Sequence, residues 1–136
     1  MRIVLAANPE ADQPWVADAA AELAKQTGAT VAVVAVDEVE IERLAAAPRA
    51  LFTERAERAA AAAADRLLAA GVEATRTVLP GRPLQRIMEF ADEQQADLIV
   101  VGSSTRPAVA ERLLGSVPLD LIKKSARPVI VVTHPR

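Results

Sequence analysis

The chain predicts an α/β domain built on a doubly wound, five-stranded parallel sheet, and three observations predict it. Short apolar runs alternate with helix-period segments from one end to the other, the pattern of strand–helix–strand crossovers. Most of the runs are apolar throughout, as strands covered on both faces are. One run differs: Ala74 to Leu79 carries Thr75, Arg76 and Thr77, which assigns it to a sheet edge. Five strands in this alternation allow the order 3-2-1-4-5 with helices on both faces. The 136 residues fit a single domain, 1–136, long enough to bury a core.

The first strand is Ile3 to Ala7, ended by Asn8-Pro9. Asp12 is placed to cap a helix whose apolar positions Trp15, Val16, Ala19, Ala20 and Leu23 recur at helical spacing, and Gly28 stops it. Val31 to Val36 make a second buried strand, and Asp37 to Pro48 is a mixed connection. A long helix runs from about Arg49 to Ala70, closed by Gly71. Its six alanines, Ala59 to Ala64, combine high helix propensity with a profile small enough to lie close to the sheet. After the polar third strand, Gly81-Arg82-Pro83 opens a helix with the stripe Leu84, Ile87, Met88 and Ala91. Met88 and Phe90 read there as core residues. Leu98 to Val101 form the central fourth strand, ending at Gly102. A helix from about Val117 to Lys124 and the strand Val129 to Val132 follow.

Composition narrows the function. Hydrophobic residues make up 51% of the chain and aromatics 2%, so Val, Leu, Ile and Ala must build the core. A net charge of -2 and the lack of stacking aromatics argue against nucleic-acid binding. Without cysteine there are no disulfides, thiol chemistry or cysteine-held metals. The opening apolar residues are too few for a signal peptide or a bilayer span, so a soluble cytoplasmic protein without membrane contact is expected.

The stretch from Asp97 to Val132 carries most of the functional signal. Gly102 ends a buried strand. Gly115-Ser116 precedes a helix, with Ser116 placed as its cap, Val117 beside it and Pro118 tolerated in its first turn. A glycine loop between a strand end and a helix start gathers free N–H groups at a positive helix end, which is an anion site suited to phosphate. Such glycines also serve purely structural turns. In the order 3-2-1-4-5 the sheet reverses direction between strands 1 and 4, and ligands bind at the carboxyl ends flanking that point. Here those ends are Asn8 and Gly102.

On these residues the chain resembles the universal stress protein family over nearly its whole length. The likeness is carried by RIVLAANPE, by GRPLQRIMEFADEQQADLIVVGS and by GSSTRPAVAERLLGSVPLDLIKKSARPVIVV. The resemblance implies a five-stranded α/β fold, dimerisation through the last strand and a stress-linked regulatory role without a settled reaction. The family's ATP-binding branch carries Gly, two residues, Gly, nine residues, then Gly-Ser or Gly-Thr. Gly102 and Gly115-Ser116 match the ends, while Thr105 stands at the middle glycine and brings a stiff Cβ and a hydroxyl. Asn8 stands where the family has an aspartate that reads the nucleotide, Pro9 replaces a glycine, and Glu10 stands where serine is common. Glu10 would repel a triphosphate unless it reaches Mg²⁺ or points away. By the same analogy Val36 frames the adenine. Gly102, Ser103, Gly115 and Ser116 hold phosphates, and Arg106 and Arg112 are candidates to neutralise them.

The expected function is therefore ATP or adenine-nucleotide binding, with Mg²⁺, in a homodimer joined along Val129–Val132 and acting on an unknown regulatory protein partner. The rival reading is a dimeric interaction module that has lost the nucleotide, which Asn8, Pro9 and Thr105 favour. An enzyme is not expected. The single histidine, His134, lies in the tail, no base accompanies Ser103 and Ser104, and no glycine-lysine-hydroxyl phosphate loop is present.

Overall fold

The computed structural model describes residues 1–38, 49–103 and 116–135. Five strands form one all-parallel sheet: β1 (Arg2–Ala7), β2 (Thr30–Glu38), β3 (Ala74–Gly81), β4 (Leu98–Gly102) and β5 (Val129–Val132). Their order is β3-β2-β1-β4-β5. Among the described residues four helices cover it: α1 (Pro14–Thr27), α2 (Arg49–Ala69), α3 (Pro83–Glu93) and α4 (Ser116–Lys124). The doubly wound prediction holds in strand number, direction and order, and the polar third strand lies at an edge.

Strand alternation divides the core into two layers. Ile3 and Leu5, Val31 and Val33, Leu98 and Val100 face α1 and α2. Val4 and Ala6, Val34 and Val36, Ile99 and Val101 face α3 and α4, where Ile87, Phe90 and Leu121 meet them. Helix α2 presents Ala56, Ala60, Ala64 and Leu67, all at 3% exposure or less, to the first layer. Phe90 is buried and Met88 packs on the second layer, as their helical spacing predicts.

Several boundaries differ from expectation. The N-cap of α1 is Gln13, not Asp12, and no side chain caps it. Pro14 stands at the first helical position, where its fixed φ starts the helix one residue later than a capping aspartate would. Gly28 ends α1 in the left-handed conformation as expected (φ 73°). Strand β3 runs on to Gly81, because β2 continues past Val36 and gives Pro80 and Gly81 the partners Asp37 and Glu38. Helix α4 begins at Ser116 itself.

The chain ends are tied down. Arg2 donates from Nη1 to Thr30 Oγ1 (3.0 Å) and from Nε to Gln94 Oε1 (2.9 Å), and its N–H meets Asp97 Oδ2 (2.7 Å). At the other end the exposed His134 packs its ring against Trp15, centroids 4.3 Å apart and planes tilted by 60°.

Candidate functional site

The sheet order reverses between β1 and β4, so their carboxyl ends flank the switch point. A cavity of about 160 Å³ lies there. Asn8, Val36, Gly102 and Val117, four residues nominated from sequence, come from four separate segments and all line it. Ala6, Val34, Ile87 and Val101 supply an apolar floor, and the first turn of α4 adds Pro118. The mouth is polar, with Asn8 and Glu10 exposed. An apolar base with convergent polar groups beside a helix N-terminus is built to take a flat ring at one end and an anion at the other.

Asn8 already has structural work. Its Oδ1 accepts the Glu10 N–H at 2.9 Å, and its carbonyl accepts the Ala11 N–H at 3.3 Å, which folds the chain into a tight turn after β1. What the side chain can still give a ligand is its amide N–H groups. Ser103 is buried, and its N–H donates to the Val132 carbonyl at 3.0 Å. It is not among the residues that line the cavity. Thr105, Arg106, Arg112 and Gly115 lie outside the described residues, and for Ser116 only the backbone is described.

Asp37 and Gln13 escaped the sequence reading. Asp37 is 3% exposed and adjoins the cavity, yet its carboxylate turns to the other side of the sheet and accepts from Thr53 Oγ1 of α2 at 2.8 Å. It belongs to the α2 interface. Gln13 reaches from the start of α1 to the end of β4, where its Nε2 donates to the Ser103 carbonyl at 2.9 Å.

Gly102 explains why the two elements approach so closely. A Cβ there would lie 2.6 Å from Gln13 Oε1 and 2.8 Å from Val16 Cγ2. Gly102→Ala is expected to cost about 1–3 kcal/mol, the range for overpacking, read from urea midpoints. Adding Gln13→Ala should return only part of that loss, because Val16 remains in the way. Additive losses would show that Gln13 is not part of the clash.

Electrostatics mark a surface clamp away from the cavity. Arg66 of α2 grips Asp18 of α1 through Nε (2.5 Å) and Nη2 (3.0 Å), and these hydrogen bonds hold the Asp18 carboxyl below the usual carboxylate range. Among the described residues no group of three or more His, Asp or Glu could hold a metal ion.

A doubly wound parallel sheet with an apolar-floored hollow at its switch point defines an open α/β domain. Comparison with known proteins sharpens this. The family model described as Universal stress protein family matches residues 1–133, and the chain belongs to that family. Universal stress protein MJ0531 of Methanocaldococcus jannaschii is 41% identical over 66 residues, 48% of this chain and 39% of that protein's length. Universal stress protein Rv1636 of Mycobacterium tuberculosis is 40% identical over 52 residues, 38% of this chain and 36% of its own. Both matches thus span well under half of the relative.

The solved structures align over nearly the whole chain. A universal stress protein from Archaeoglobus fulgidus superposes with TM-score 0.81 at 29% identity, covering 98% of both chains. The same organism's universal stress protein in complex with dAMP gives 0.75 at 28%, again over 98% of both. A universal stress protein in complex with cAMP gives 0.75 at 26%, over 97% of this chain and 96% of that one.

Proposed function

We propose that this chain binds ATP or a related adenine nucleotide in the hollow between β1 and β4, and acts as a cytoplasmic stress-linked regulator, not as an enzyme. The observation that carries the reading is the convergence of Asn8, Val36, Gly102 and Val117 on one cavity beside the start of α4. The dAMP and cAMP complexes of similar structures support the choice of an adenine nucleotide. In this reading Val36 and the apolar floor take the base, and the Asn8 amide donates to the nucleoside. Gly102, the Ser103 hydroxyl and the first turn of α4 face the phosphates, with Thr105, Arg106, Gly115 and Ser116 completing that end. Mg²⁺ would arrive on the phosphates, its usual partners, and Glu10 at the mouth is the carboxylate placed to meet it.

The same reading makes the protein a homodimer along β5, engaging a regulatory protein partner. Ile130 on β5 and Leu119 and Ile122 on the adjoining α4 are exposed, an apolar margin that a second copy would cover.

A thermal melt with and without millimolar Mg·ATP tests the ligand, with GTP as control. Ligand at about 100 times its Kd adds roughly 2.7 kcal/mol, which should raise the midpoint by about 10 °C in a domain of this size. A rise with ATP and none with GTP is the expected result. No rise with either would mean that Asn8, Pro9 and Thr105 mark a lost site, and that the chain is a dimeric interaction module.

A further inference from the structure

Ser103 is the point at which the chain leaves the sheet, and both of its backbone polar groups are held. Its N–H donates to Val132 of β5, and its carbonyl accepts from Gln13 Nε2. The second bond replaces one that the sheet does not supply. Ile99 and Ser103 donate to the carbonyls of Pro128 and Val132, so a continued parallel ladder would serve the Ser103 carbonyl from residue 134. Strand β5 stops at Val132, two residues short. The glutamine fills that place from the start of α1, 90 positions away in the chain.

Gln13 is well held for this task. It occupies the N-cap of α1, Pro14 follows it, and its carbonyl accepts the Val16 N–H at 3.0 Å. Its side chain lies flat over Gly102, which has no Cβ to keep it off. Gly102 in turn lines the cavity together with Val117 and Pro118 of α4, so the backbone that Gln13 holds adjoins the end of the hollow nearest the start of that helix.

We propose that Gln13 is a positioning residue: by holding the Ser103 carbonyl it fixes the backbone where the chain leaves β4, and through it the affinity for the phosphate part of the ligand. This rests on the nucleotide reading above for its ligand, but not for its structural half. Two variants of the full chain separate the contributions. Gln13→Ala removes both the donor and the packing. Gln13→Glu keeps the length and the contact over Gly102 but puts an oxygen where the donor was.

Two measurements read them. Residue-resolved hydrogen exchange at the Ser103 amide needs no ligand, and calorimetry compares ATP with adenosine. Loss of one hydrogen bond to a buried carbonyl should speed Ser103 exchange and weaken ATP binding by about 5- to 10-fold in both variants. Adenosine affinity and exchange at Leu5 and Val33 should stay at wild-type values. Wild-type behaviour of Gln13→Glu in both measurements would overturn the proposal. So would equal weakening of ATP and adenosine, since Gln13 would then act on the whole site. If wild-type protein binds neither ligand, the nucleotide reading fails by itself. Ser103 exchange then decides: faster exchange in Gln13→Glu upholds the positioning role, and unchanged exchange ends it.

Discussion

Leu67→Ala is expected to remove about 3–4 kcal/mol of folding stability, toward the upper part of the range for buried leucines. The reason lies in what surrounds it. The buried stripe of α2 is Ala56, Ala60, Ala64 and Leu67, and the sheet opposite it offers Val31, Val33 and Ala35. Among the described residues Leu67 is the one large side chain that α2 contributes at full burial. Alanines have no rotamers to swing into the space it would leave, and β-branched valines are stiff. The void therefore stays open, and the cost adds lost transfer energy to lost contacts. Urea unfolding followed by circular dichroism should show a lower midpoint with an unchanged slope. Protein concentration must be held fixed, because a dimer's stability depends on it. A loss below about 1 kcal/mol would mean that α2 settles onto the sheet and closes the gap.

The second large effect concerns the outer rim of the sheet. The bonds from Ile99 to Pro128 and from Ser103 to Val132 set the phase of β5: residues 128, 130 and 132 turn their backbone groups to β4. Val129 and Val131 then turn theirs outward. Val131→Pro should delete an outward N–H, spare the pairing with β4, and convert a dimer joined through this strand to a folded monomer. Ile130→Pro removes an inward N–H and should unfold the strand instead. Light scattering at tens of micromolar protein, with circular dichroism alongside, reads both. Dimers that survive Val131→Pro, or wild-type protein that is monomeric from the outset, would eliminate β5 as the dimer seam.

The frame of the molecule was legible because it depends on summed burial. Runs such as Val31 to Val36 must be covered on both faces whatever their neighbours, and Thr75, Arg76 and Thr77 belong at an edge for the same reason. Asn8 and Gly102 could be named as neighbours because the reversal between β1 and β4 dictates where those strand ends meet, whereas Val36 was named by family analogy; with Val117 they line one cavity. Gln13 was not. Nothing in a glutamine before a proline distinguishes a linker from a clasp, and its partner is distant in the chain. The available hint was Gly102, whose missing Cβ admits either a ligand or another part of the protein, and here admits Gln13 and Val16. The Asp12 cap failed for a local reason, since Pro14 starts the helix without needing a capping side chain.

The contact between Trp15 and His134 has a practical consequence. Trp15 is the chain's single tryptophan, its Nε1 is buried without a hydrogen-bond partner among the described residues, and the imidazole of His134 lies against its ring. All indole emission from this protein thus originates at one spot, in the first turn of α1 two residues after Gln13, where His134 of the tail leaving β5 comes to rest. The molecule carries its own optical gauge, and a change in colour or brightness reports on that junction without any attached dye.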